Sequence, residues 1–134
     1  MPFDVSEEYV VAAESGLGVR LPDSYRELMK EANGGECKAA SDLWSLTPIL
    51  DRSNRKRLAR TCNDIVRATK AMSSWLGWPS EAICIAQNGT GDALIFLAKE
   101  TLCPSTIYLW SHETGNTIKV AQDFFCLKEP SQFE

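Results

Sequence analysis

His112 is the one histidine in the chain, and it lies in the stretch WSHETG between Ser111 and Glu113. A histidine beside a hydroxyl and a carboxylate invites comparison with a nucleophilic triad, but the spacing argues against it. The stretch reads as the end of a strand, and neighbouring strand residues point to opposite faces. No G-x-S-x-G elbow is present to hold a nucleophile. A zinc site would need a second histidine or paired cysteines, and neither H-E-x-x-H nor C-x-x-C occurs. The five cysteines, at 37, 62, 84, 103 and 126, are an odd number and suggest no disulfide framework. Cys62 and Cys84 sit among apolar residues and read as small core hydrophobes.

The second candidate for chemistry is NGTGD, residues 88–92. A phosphate cradle would need G-x-x-x-x-G-K-[ST], or G-x-G-x-x-G opening a helix. Only Gly89 and Gly91 are available, no lysine follows, and the next element reads as a strand. Asn-Gly between two apolar strands is instead a hairpin signal. The carboxylates are a third candidate. Glu36, Asp42, Glu81, Asp92 and Glu113 all fall near predicted element ends. Such acids are ordinarily capping or solubilising charges. Gathered in space, they would form an acidic patch that meets a basic partner.

The elements that must carry these residues read as helices first and strands after. Ser6 to Ser15 is helical, with Ser6 as a cap and glycines 16 and 18 as its stop. The segment LPDSYRELMKEANGG predicts a second helix, with Pro22 in its first turn, capping-box spacing between Ser24 and Glu27, and Gly34 and Gly35 after its end. Residues 43–50, LWSLTPIL, read as a short extended stretch made irregular by Pro48. The longest predicted helix is 53–72, with Leu58, Cys62, Ile65, Thr69 and Met72 on its apolar face. After the loop that carries Trp75 and Trp78 the period changes. AICIAQ (82–87), ALIFLA (93–98), TIYLWS (106–111) and TIKVAQ (117–122) are strands by their apolar and β-branched content. Short links between them predict an antiparallel meander. DFFCLK (123–128) predicts a last turn or two of helix. The class is α+β, a meander-like antiparallel sheet with helices packed on one face.

The 134 residues fit one domain, 1–134, of ordinary composition. There is no apolar run near the ~20 residues of a membrane span, and the acidic N-terminus is unlike a signal peptide, so a cytoplasmic protein is expected. Residues 52–70 hold seven cations against Asp64 alone, a net of +6, so the remainder of a chain whose net charge is −4 carries −10. The acidic body disfavours nucleic acid and favours a basic protein partner. The basic run reads as the solvated back of the 53–72 helix, with an anion patch as the sharper alternative. Trp75 and Trp78 either seal the core or anchor a partner; Trp44 and Trp110, in strand-like stretches, read as partly buried.

Four stretches in order, LGVRLPDSYRELMKEANGG, LWSLTPI, ICIAQNGTGDALIF and IYLWSHETG followed by VAQDF, resemble the SUKH superfamily, also called Smi/Knr-like. The resemblance runs from about Glu14 to Phe124. It rests on Leu21, Pro22, Tyr25, Asn33, Gly34, Gly35, Trp44, Gly91, Asp92, Trp110 and His112, most of which have a structural reason to be there. It implies an α+β fold, no catalysis, no cofactor and no metal. It also implies a protein partner. Bacterial members look like immunity proteins that neutralise a cognate toxin, often a nuclease. Fungal members look like regulators of cell-wall assembly. On the first reading, Glu36, Asp42, Glu81, Asp92, His112 and Glu113 are the expected toxin-facing residues, with the acids mimicking phosphate, in a monomer or weak dimer. The segment DRSNRKRLAR is more basic than a nuclease inhibitor calls for.

Overall fold

A computed structural model describes residues 2–128; residue 1 and residues 129–134 of the expected domain lie outside that range. Among the described residues the order is α1 (Glu7–Leu17), α2 (Asp23–Glu31), β1 (Glu36–Ala39), β2 (Asp42–Leu46), α3 (Arg55–Thr61), α4 (Ile65–Met72), β3 (Ala82–Gln87), β4 (Ala93–Leu97), β5 (Ile107–Trp110), β6 (Thr117–Ala121) and α5 (Phe124–Lys128). The strands form a single sheet in sequence order, each antiparallel to the next. The α+β class and the meander are as expected. β1 was not expected; it pairs with β2 through a tight turn at Ala40 and Ser41, both at positive φ.

The sheet curls, and a bulge in β3 helps to bend it. Cys84 pairs with Ile95 and Ala86 with Leu94, so Ile85 is the extra residue. The slip lets Ile83, Ile85 and Ala86 all join one buried cluster while Cys84 joins another. The larger cluster lies under α1, α2 and α5. There Tyr25 of α2 meets Phe96 of β4 and Phe124 of α5 edge-on, with ring centroids 5.7 and 4.9 Å apart. These near-perpendicular contacts suit the ring quadrupole. The smaller cluster, on the opposite face, gathers Met72, Cys84, Ile95 and Trp110 beneath the end of α4.

Three local expectations give way to tertiary structure. The helix expected over 53–72 is two helices. Asp64 accepts hydrogen bonds from Val66 N–H and Arg67 N–H at 2.9 and 3.1 Å and so caps α4 afresh. With the phase reset, Leu58 is 40 % exposed and Cys62 only half-buried, although Ile65 and Met72 are buried as expected. The Ser24–Glu27 capping box does not form, because the cap position of α2 is Pro22. Ser24 Oγ accepts instead from Phe124 N–H at 3.2 Å and ties α2 to α5. Gly16 lies within α1 and does not end it; Gly18, left-handed at φ 78°, does.

The residues after α2 fix its exit. Asn33 donates to Ile49 C=O and accepts from Ile49 N–H, each at 2.8 Å, and so acts like one rung of a strand pair. Trp44 and Trp110 are both 1 % exposed, more buried than expected. Their ring N–H groups donate to Ala39 C=O at 2.9 Å and Gly77 C=O at 3.0 Å.

Candidate functional site

A meander places alternate turns at one end of the sheet. Here the turns β1–β2, β3–β4 and β5–β6 share that end, and side-chain latches join them in a row. Asn88 Nδ2 donates to Asp42 Oδ2 at 2.8 Å, linking the first turn to the second. Asn88 Oδ1 meanwhile accepts from Thr90 N–H at 3.0 Å and Thr90 Oγ1 at 2.8 Å, which shapes the second turn. Asp92 links the second turn to the third, since its Oδ1 meets His112 N–H at 3.0 Å and His112 Nδ1 at 2.6 Å. The third turn abuts the 75–78 loop. A Cβ on Gly77 would stand 3.3 Å from Gly115 Cα, so only glycine allows that approach.

NGTGD is therefore the hairpin corner. Gly91 is at φ +106°, and a Cβ there would stand 3.0 Å from His112 Cγ. Burial works to raise the Asp92 carboxyl, but the His112 backbone N–H and ring outweigh it and hold the pKa below the ordinary 3.8. His112 is thus an oriented ring at the surface. Among the described residues nothing hydrogen-bonds to its Nε2, so no nucleophile completes a triad. All five thiols are free. Burial pushes Cys84 up to about 11 and Cys103 to about 12, which keeps both as unreactive thiols at neutral pH. No group of three or more potential metal ligands is found among the described residues.

Five of the six expected partner-facing residues lie at or beside this end: Asp42, Asp92, His112 and Glu113 in or next to the turns, and Glu36 level with them. The strand register places Glu36 in one row with Ser45, Gln87, Ala93 and Trp110, on the outer face. Glu81 is at the opposite end, where its C=O accepts from Ala98 N–H. Asp42 and Asp92 are held by the latches. Glu36 and Glu113 are exposed and make no ion pair among the described residues.

The apolar contribution to this end is not evident from sequence pattern alone. Leu76 is 96 % exposed, the most exposed large hydrophobic side chain described, on a loop that is firmly held. Trp75 and Trp78 pack on Trp110 at 6.1 and 5.0 Å and on each other at 6.3 Å. Across the sheet, Leu43 projects from the outer face of β2 at 49 % exposure. It lines a shallow cavity of about 480 Å³ with Glu36, Gln87 and Asn88. The sequence signal for Leu76 is an apolar residue in a Trp- and Gly-containing loop that belongs to no periodic element. Trp75 and Trp78 thus cover core and also support an exposed leucine.

No helix among the described residues is long and apolar enough to cross a membrane. No curated protein and no solved structure matches the chain. The model of the SMI1 / KNR4 family (SUKH-1) matches residues 4–126, from ahead of α1 into α5 and so across every latch at the turn end, and the chain belongs to that family.

Proposed function

We propose that this chain is a cytoplasmic immunity protein that binds a cognate protein toxin with the turn end of its sheet and occludes it, without catalysis of its own. The observation that carries this reading is the combination at that end. Latched turns present the exposed acid Glu113 beside the exposed Leu76, and at the β1 edge of the same end the exposed Glu36 flanks the exposed Leu43. Stable interfaces pair apolar anchors with a polar rim. A pre-formed surface loses little entropy on docking. An interface of about 1,600 Å² total would cover an active cleft. The acids would steer a basic surface, as on a nuclease that binds phosphate.

The test is calorimetry between the tagged protein and the product of the neighbouring gene, with rescue of cells that express that product. Nanomolar binding with rescue supports immunity. Reversal of Glu36 and Glu113 to lysine should slow association and reduce its salt dependence; association unchanged across salt concentrations would remove the electrostatic part. The family match favours one further reading, a regulatory interaction domain like the cell-wall-assembly regulators. Failure to bind any neighbouring product, with capture of a defined host protein through the same turn end, would favour it.

A further inference from the structure

A second surface, sharing no residue with the turn end, is built for a ligand of opposite charge. Between α1 and α4 runs a groove of about 610 Å³. Tyr9, Ala12 and Gly16 form one wall and Leu50 and Val66 the other. At Gly16 even a Cβ would come within 3.1 Å of both Val66 methyl groups. Arg52, Arg67 and Lys70 stand along it, with Glu8 on the α1 side, while Asp64 is buried and occupied in capping α4.

The three cations are uncommitted, as is Arg55 outside the groove, which sets them apart from Lys56, Arg57 and Arg60. Arg57 pairs with Asp51 at 3.1 Å and Asp4 at 2.9 Å. Lys56, Arg57 and Arg60 surround the Phe3 ring, at 5.8, 4.6 and 4.8 Å from its centroid. Those residues hold the N-terminal segment in place. Arg52, Arg67 and Lys70 make no ion pair among the described residues. They lie on a chain whose remainder is acidic, so an anionic partner is repelled elsewhere and drawn to this groove.

We propose that the α1–α4 groove docks an acidic amphipathic helical segment of a partner protein. Its apolar side chains, at helical spacing, would enter between Ala12 and Val66, and its carboxylates would meet Arg67, Lys70 and Arg52. A peptide fits better than a nucleic acid. The walls are mostly aliphatic and offer Tyr9 as their one aromatic ring, whereas single strands are held by rows of stacking aromatics.

The test uses the full chain and a fluorescein-labelled peptide of about fifteen residues, with leucine at i, i+4, i+7 and i+11, four glutamates flanking that stripe and alanine elsewhere to favour the helix. Anisotropy should show saturable binding that weakens with salt. Ala12→Trp, which fills the groove from an exposed position, and the pair Arg67→Glu with Lys70→Glu should each weaken it by about 10-fold or more. Unchanged melting temperatures would show that the variants fold. No binding by the wild-type chain overturns the proposal. So does binding that the Ala12→Trp chain retains in full, because charge alone would then account for it. Tighter binding of a single-stranded oligonucleotide, lost with the two cations but kept in Ala12→Trp, overturns it in favour of a phosphate backbone.

Discussion

One oxygen of Asp92 holds His112 twice, by the backbone N–H at 3.0 Å and by ring Nδ1 at 2.6 Å. Asp92 ends the NGTGD turn just ahead of β4 and His112 lies in the turn after β5, so a single carboxylate spans two hairpins. Gly91 leaves just enough room for the imidazole. Asp92→Ala should cost about 1–2 kcal/mol, the usual range for a charge-assisted hydrogen bond, and should speed amide exchange at His112. Gly91→Ala should do the same by displacing the ring and straining φ. Urea unfolding with hydrogen exchange measures both; unaltered exchange at His112 would show that the latch does not hold the turn.

Leu76 should matter to binding and not to folding. Its side chain is almost wholly exposed, so Leu76→Asp should change stability by no more than about 0.5 kcal/mol. The same change should weaken partner binding by about 2 kcal/mol or more if the loop is an interface anchor. A melting curve and a calorimetric titration on the same sample separate the two effects.

Arg26 joins α1 to α2 through Glu7 and Glu14, with Glu14 at 3.0 Å also accepting Leu21 N–H at 2.8 Å. The Arg26 and Glu14 side chains are 8 % and 12 % exposed. Arg26→Ala should therefore cost about 3 kcal/mol, because it strands a nearly buried carboxylate. Lys30→Ala, which removes a more exposed pair with Glu7 at 3.0 Å, should cost less than about 1 kcal/mol. Urea midpoints that rank the two the other way would contradict this assignment.

The Tyr25 hydroxyl is buried and has no hydrogen-bond partner among the described residues, and burial drives its pKa far up. Tyr25→Phe should be neutral or stabilising by up to about 1 kcal/mol, since it removes an unsatisfied polar atom and keeps the ring packing. Tyr25→Ala should cost about 3–5 kcal/mol. A loss of stability in the phenylalanine variant, measured by thermal unfolding, would reveal a role for the hydroxyl.

Asp51 is buried, which alone would raise its pKa; the hydrogen bonds from Ser53 and the pairing with Arg57 prevail and place it below the ordinary 3.8. A carboxylate with a depressed folded-state pKa adds stability that is complete above its unfolded value. That stability is lost as pH falls through the folded value. The stability gap between wild type and Asp51→Asn should thus be constant above pH 5 and narrow steadily below about pH 4. Unfolding free energies from pH 7 to 3 check this, and a gap that does not narrow would place the Asp51 pKa at its ordinary value.

The four strands from AICIAQ to TIKVAQ were legible because each needs only its own alternation or apolar run, and because Asn-Gly and short polar links force antiparallel neighbours. The turn at Gly91 was legible for a similar reason: glycine answers a local steric demand; α2, by contrast, ends at Glu31 with an extended Ala32, ahead of the Gly34 and Gly35 expected to stop it. What depended on distant partners was not legible. Nothing near Glu36–Ala39 signals a strand until β2 is beside it. Leu58 matched an apolar stripe until Asp64 restarted the helix, which set the side chain facing outward. Ser24 matched a cap until Phe124, 100 residues on, took its oxygen.

The candidate surface divides in the same way. Sequence alone determined which acids end the strands, and that the one histidine has no catalytic partner beside it in the chain. Tertiary structure decided that Glu36 and Glu113 share an end while Glu81 lies at the other. It also decided that Leu76 stands exposed on a tryptophan-braced loop, and that some cations hold Phe3 while others line an open groove. Local conformation follows from backbone sterics and hydrophobic period, which act over a few residues. Which surfaces stay uncovered depends on how every element packs, and no window of sequence contains that.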